Sequence, residues 1–292
     1  MLGQQLLNGI VLGATYALFA TGFTLVFGVL RVIDLTYGVL VSVAGLLAWW
    51  LTAAGLPLIV ALPLVCLACA MLAMALQTLL LSRLRRRAAP EMASLMVTLG
   101  AALTLYALLS SFAGPDIRRL SATLLPQNAL EVIGLRVTVA QLLVLAAALA
   151  AVLALTFALR ATRWGMAVRA LAERPEAAKL VGIDTARLAS MVAAVGGGLA
   201  GLAGALIALT SNAVQPYMGE ALMLRGFVVV IAGGLGSIPG ALAAGLALGL
   251  IEGLTAAYVD SELKEAVAFA ILVIVLWTRP SGLFGQSAIT RA

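Results

Sequence analysis

Residues 160–187, RATRWGMAVRALAERPEAAKLVGIDTAR, separate two long apolar runs and carry six basic side chains: Arg160, Arg163, Arg169, Arg174, Lys179 and Arg187. A basic link between membrane-length apolar spans lies at a membrane surface, and the excess of Lys and Arg assigns it to the cytoplasmic one. Within the link, Pro175 suits the first position of a helix and Gly182 the residue just past its end. The spacing therefore predicts a two-turn helix through Glu176, Ala177, Ala178, Lys179, Leu180 and Val181. So short a helix is unstable alone in water and needs something to lie against. It reads as a docking element, entered at Arg174, and the remaining chain reads as the membrane body that it moves. Plain anchoring of the basic side chains to anionic lipid is the simpler alternative.

Composition sets the class. The 292 residues are 63% hydrophobic and 10% charged, with a mean hydropathy of +1.14, against about 25% charged in an ordinary soluble domain. Repeated apolar runs of 18 residues or more make this an all-α polytopic membrane protein. The net charge of +6 does not indicate nucleic acid, because the basic residues gather at span ends and not in patches interleaved with aromatics. Cys66 and Cys69 stand within one apolar helix, and the chain has no histidine. They read as small packing residues, with no metal expected. The absence of histidine also excludes a His-based triad or HExxH site. AGGLGSIPG at 232–240 lacks the Gly-Lys-Ser/Thr ending of a phosphate loop, so its glycines read as a backbone reversal that Pro239 converts into the next helix. The first apolar span has no basic segment before it and is expected to be retained.

Taken in order, eight full spans are expected at about 6–30, 37–52, 56–82, 91–112, 135–159, 187–209, 241–257 and 266–277. A short run at 222–231 is either a crossing helix or a re-entrant one. If it crosses, the N-terminus is outside and the C-terminus inside. Thirteen of the eighteen Lys and Arg then fall inside, including the run Ser82–Arg87; Arg118 and Arg119, in an external loop at 113–134, are the chief exceptions. Arg31 and Asp34, three apart, are placed to pair if the first helix continues through them. Trp49 and Trp50 fit an interfacial belt, and Pro63 predicts a kink. Gly198, Gly201 and Gly204 recur every third residue and predict a smooth helix face for close packing.

Charges within spans are costly, which singles out Glu252. The plainer reading places it near the external headgroups, partly solvated; the sharper ones are a gate or interhelical ion pair, and contact with a solute. One or two carboxylates are too few for a proton relay, so a proton-coupled carrier is disfavoured and an external source of work is expected. Thr15, Tyr16, Thr21, Thr98, Thr104 and Asn212 are candidates for a translocation path, being polar on otherwise apolar segments, although Thr commonly bonds back to its own helix.

The motifs resemble those of permease subunits of the branched-chain amino-acid class of ATP-binding-cassette importers, of the LivH type. The resemblance runs from NGIVLGATYALFATGFTLVFGVLRVID at 8–34, through 160–187, to GGLGSIPGALAAGLALGLIE at 233–252 and TRPSGLFG at 278–285. Glu176-Ala177-Ala178, with Gly182 following, is similar to the motif that importer permeases insert into an ATPase cleft, although here Ile183 is followed by Asp184-Thr185-Ala186 and not by the usual hydrophobic-Pro ending. Where the family often has Asn-Phe-Ala-His-Gly, this chain has Asp34-Leu35-Thr36-Tyr37-Gly38. The resemblance implies one permease domain over 1–292 in a bacterial inner membrane, heterodimeric with a homologous permease. It further implies two cytoplasmic ATPases that use ATP and Mg, no cofactor on this chain itself, and a periplasmic solute-binding protein. Branched-chain and other amino acids, short amides and urea are substrates of the class. The rival readings are an ATP-independent facilitator for a small polar solute and a non-transporting scaffold. Cysteine substituted at Lys179 should react with an impermeant thiol reagent only from the cytoplasmic face; reaction only from the outside would invert the whole assignment.

Overall fold

The computed structural model describes residues 2–86, 90–114, 116–120, 130–132, 135–258, 260, 263–279 and 282–285. Arg87, Arg291, Ser261, Glu262 and most of the expected external loop lie outside the described residues. The helices are α1 (Leu2–Leu30), α2 (Thr36–Ala53), α3 (Leu58–Leu76), α4 (Ser82–Arg86), α5 (Glu91–Ala113), α6 (Val139–Ala161), α7 (Arg163–Glu173), α8 (Pro175–Leu180), α9 (Thr185–Ser211), α10 (Met218–Gly233), α11 (Ile238–Tyr258) and α12 (Lys264–Thr278). A π-helical turn at Gln77–Leu81 joins α3 to α4. Besides an isolated bridge between Arg118 and Val214, the departure from all-α architecture among the described residues is a small antiparallel hairpin, β1 (Leu130–Val132) with β2 (Leu135–Val137). Its first strand lies in the expected external loop and its second occupies the first residues of the expected fifth span. The Thr138 side chain then accepts from the Gln141 N–H and starts α6.

Among the described residues, seven helices are long and apolar enough to cross a bilayer. α10 and α12, of 16 and 15 residues, reach only about 24 and 22 Å at 1.5 Å per residue, short of the roughly 30 Å hydrocarbon core. The eighth expected span is thus the short α12. It stops because Arg279, which precedes a proline, turns to extended backbone.

α1 is the hub. Every residue from Gly13 to Val26 is buried, so this stretch has no face on the outer surface of the bundle, as expected of a helix apolar all round. The window of α3 that qualifies as a span is only 28% buried, and those of α5 and α6 22% each; these three form the periphery. α11 lies antiparallel to α1 with almost no space between backbones. Gly245 faces Ala17, Gly249 faces Gly13 and Gly253 faces Gly9, and a Cβ on Gly249 would overlap the Gly13 N and Cα. α9 fits between α1, α2 and α3. A Cβ on Gly204 would come within 2.9 Å of Val41 Cα, one on Gly201 within 2.7 Å of Cys69 Cβ, and one on Gly198 only within 3.5 Å of the Cys66 carbonyl oxygen. The glycine face is therefore tight at Gly201 and Gly204 and looser at Gly198.

The helix ends show which face each segment occupies. Gln4 Nε2 donates to the Arg136 carbonyl at 2.9 Å and Gln4 Oε1 accepts from the Arg136 N–H at 3.0 Å, so the start of α1 shares a face with the hairpin. At the far end of α1, Arg31 donates to the Ala172 carbonyl of α7. On that same face Gly28 neighbours Gly236, and the Leu283 and Phe284 N–H groups donate to Ala232 and Gly233. Gln4 and Phe284 are therefore on opposite faces, and α10 joins one face to the other. Its shortness is made up by 212–217, where Val214 bridges back to Arg118 before the Gly219 N–H reaches Ser42 Oγ at 2.9 Å. Re-entry at 222–231 is ruled out by this arrangement.

The expected pairing of Arg31 with Asp34 does not form. Helix α1 ends at Leu30, Arg31 adopts left-handed backbone at φ 53°, and Asp34 Oδ1 instead accepts from the Thr36 N–H and hydroxyl. Tyr37, where the resembled family carries histidine, is a core aromatic: its ring meets Phe19 and Phe23 edge-on, each at 5.4 Å. Gly249→Leu should abolish recovery of monodisperse protein from membranes, whereas Gly198→Ala should leave yield and thermal stability within the range of the parent; equal behaviour of the two would contradict the packing described.

Candidate functional site

The link between α6 and α9 is held by local chemistry at each corner. Thr162 Oγ1 accepts from the Gly165 N–H at 3.0 Å and starts α7, and Gly165 sits so close to the Ala158 and Leu159 carbonyls that no side chain fits there. α7 turns Gly165, Val168 and Leu171 inward, and leaves Arg163, Met166 and Arg169 exposed. Pro175 opens α8. The chain leaves α8 through Gly182 at φ 82°, with the Ile183 N–H donating back to the Ala178 carbonyl at 3.1 Å, a closure that glycine permits without strain. Asp184 then accepts from the Ala186 and Arg187 N–H groups and caps α9.

This geometry divides the candidate coupling residues into two faces. Ala178 is buried, on a helix that packs against α7 and the start of the chain's own membrane body at α9. Arg174, Glu176, Ala177, Lys179 and Gly182 face out, and so do Leu180 and Val181, at 89% and 76% exposure. Two adjacent large apolar side chains presented at the end of α8, in addition to Met166 on α7, are costly to hydrate. They form the outward surface that a partner would cover.

The path candidates are not brought together. Thr15, Thr21, Thr98 and Thr104 each donate to a carbonyl of their own helix three or four residues earlier. Asn212 terminates α9 in left-handed backbone at φ 47°. Tyr16 differs: its hydroxyl donates to Glu252 Oε2 at 2.7 Å. Glu252 Oε1 pairs with Arg225 Nε at 3.2 Å, and Arg225 in turn reaches Glu265 at 3.1 Å. The Glu252 side chain is only 1% exposed, so the expectation that it is partly solvated near headgroups is corrected. It is the centre of an ion-pair network joining α1, α10, α11 and α12, and the pairing is what makes its burial tolerable. In the α1–α2 link, burial pushes the Asp34 carboxyl above its usual range while the two Thr36 hydrogen bonds oppose the shift.

A cavity of about 1050 Å³ lies beside α1, walled by α6 and α7 and by the α10–α11 turn. None of the path candidates lines it. Its polar lining is Thr24, Thr156, Arg160, Arg169 and Ser237.

Residues 5–276 match the model of the family described as branched-chain amino acid transport system / permease component. The chain belongs to this family. It is 30% identical, over 99% of its own length and 97% of the relative's, to the high-affinity branched-chain amino acid transport system permease protein LivH of Salmonella typhimurium, and equally so to that of Escherichia coli. The corresponding BraD permease of Pseudomonas aeruginosa is 28% identical over the same shares of the two chains. No solved structure matches the chain. As a member of this permease family with seven span-length helices among the described residues, the chain is a multi-pass membrane protein.

Two features of this permease escaped the sequence reading. The partner of Glu252 was not legible because Arg225 is 27 residues away and lay in a run whose crossing was undecided. The α1–α11 contact did carry a signal, since Gly9, Gly13 and Ala17 are four apart, as are Gly245, Gly249 and Gly253, the spacing of small residues that marks close helix pairs. Replacing Glu252 with Leu leaves Arg225 and the Tyr16 hydroxyl without it and should lower stability by about 3–5 kcal/mol, read as thermal denaturation in detergent. Tyr16→Phe, which removes one hydrogen bond, should cost about 1 kcal/mol. An unchanged midpoint for Glu252→Leu would show the network to be dispensable.

Proposed function

We propose that this chain is the membrane-spanning subunit of an ATP-binding-cassette importer in a bacterial inner membrane, moving branched-chain or closely related amino acids into the cytoplasm. The observation that carries the coupling part of this reading is the outward pair Leu180 and Val181 on α8, a two-turn helix whose other face is seated through Ala178 on the body of the same chain. In this reading α8 lies in a groove of a soluble ATPase. Closure of the ATPase moves α8 and α7, and these pull on α6 and α9, to which they are joined end to end. α9 contacts α1, α2 and α3, so its tilt passes to the centre of the bundle. The permease contributes no hydrolysis; ATP and Mg are used by the two ATPases, and no cofactor belongs to this chain. A homologous permease completes the pore, and a periplasmic solute-binding protein delivers the substrate. The substrate assignment rests on the names of the LivH and BraD relatives. Amides and urea remain alternatives within the same mechanism.

The test is uptake into proteoliposomes that hold the permease pair with its ATPases, supplied with the binding protein and labelled leucine. Leu180→Asp combined with Val181→Asp should reduce ATP-dependent uptake at least about tenfold, equivalent to about 1.4 kcal/mol of docking energy, with unchanged insertion. Ala178→Glu should act differently, by unseating α8 from its own body, and Gly182→Glu by straining the left-handed turn. Uptake that persists without ATP and through these changes would establish a facilitator instead.

A further inference from the structure

The cavity beside α1 has the chemistry of an amphiphile site. Its walls are apolar along most of their depth, with Leu25 and Val29 from α1, Val152 and Leu153 from α6, and Leu242 from α11. Leu153, at 58% exposure, lies on the outward face of α6, so this apolar wall continues onto the outer surface of the bundle. At the end nearest α7 the lining becomes cationic, with Arg160 in the last turn of α6 and Arg169 on α7. No Asp or Glu is among the lining residues. Neither arginine makes an ion pair among the described residues. Thr24 also lines the cavity, and its buried hydroxyl has no hydrogen-bond partner.

We propose that this cavity holds an anionic phospholipid, its acyl chains between α1 and α6 and its phosphate at Arg160 and Arg169. A volume of about 1050 Å³ is at the upper limit of small-molecule sites, which run to roughly 1,000 Å³, and exceeds what one amino acid fills. A zwitterionic amino acid placed there would find two guanidinium groups for its carboxylate and no carboxylate for its ammonium. The headgroup of an anionic lipid needs only the cations, and its chains match the apolar walls. Basic pockets between membrane helices on the cytoplasmic side favour such headgroups. Because α7 forms the cationic end, a lipid seated here would brace the root of the α7–α8 link, whatever that link docks to.

Native mass spectrometry of the assembled, delipidated transporter, given phosphatidylglycerol or phosphatidylcholine with the same acyl chains, tests this on the intact complex. One phosphatidylglycerol per copy of this chain should survive activation that strips phosphatidylcholine. Arg160→Gln with Arg169→Gln should reduce that retention at least about tenfold, and Arg160→Lys with Arg169→Lys should restore most of it. Arg83→Gln with Arg163→Gln, which removes two cations outside the cavity, should leave it unchanged. Only species at the mass of the assembled complex are scored, so loss of folding cannot pass for loss of binding. Equal retention of the two lipids, full retention by the Gln pair, or displacement of the lipid by saturating leucine would overturn the proposal.

Discussion

The close approach of α1 and α11 is the constraint on which the rest of the structure depends. Gly9, Gly13 and Ala17 meet Gly253, Gly249 and Gly245 with backbone against backbone, a distance that only small residues allow. Without a hydrophobic drive between helices in lipid, such contact gains its stability from dispersion over a long, flat surface. It draws α1 to the centre and lets α9 and α10 close around its other sides. The same contact brings Tyr16 beside Glu252. A carboxylate that would be prohibitively costly on a lipid-facing helix is thereby held by Tyr16 and Arg225.

From that fixed centre outward, the molecule changes from rigid to peripheral. α3, α5 and α6 bury little of their surface, as suits helices facing lipid or another subunit. α7 and α8 hang from α6 and α9 at corners set by Thr162, Gly165, Gly182 and Asp184. A force applied to α8 in the proposed mechanism enters a short, well-anchored lever whose far arm, α9, touches α1, α2 and α3.

Local rules made much of this legible beforehand. Pro175 and Gly182 bracketed α8 to within a residue, because a helix start and a left-handed exit are decided by the residues that occupy them. Span positions followed from hydropathy for the same reason. What depended on distant partners was not legible. Arg31 and Asp34 looked like a pair by spacing, yet the helix broke between them. Glu252 looked half-solvated because Arg225 and Tyr16 approach it only in the folded bundle. The threonines named for a path bond back within their own helices, as the local rule for Thr has it, whereas the meeting of Thr24, Thr156 and Ser237 around one cavity arises only in the folded bundle. The crossing of α10 was settled by contacts at its two ends.

The central claim is that α8 is gripped by a nucleotide-hydrolysing partner. Backbone hydrogen exchange of residues 175–184 measures this directly, compared between the permease alone and the permease assembled with its ATPases. The account predicts that exchange in this segment slows sharply on assembly while 116–120, on the opposite face, does not change. Exchange at 175–184 that stays as fast in the complex as in the isolated permease would contradict it.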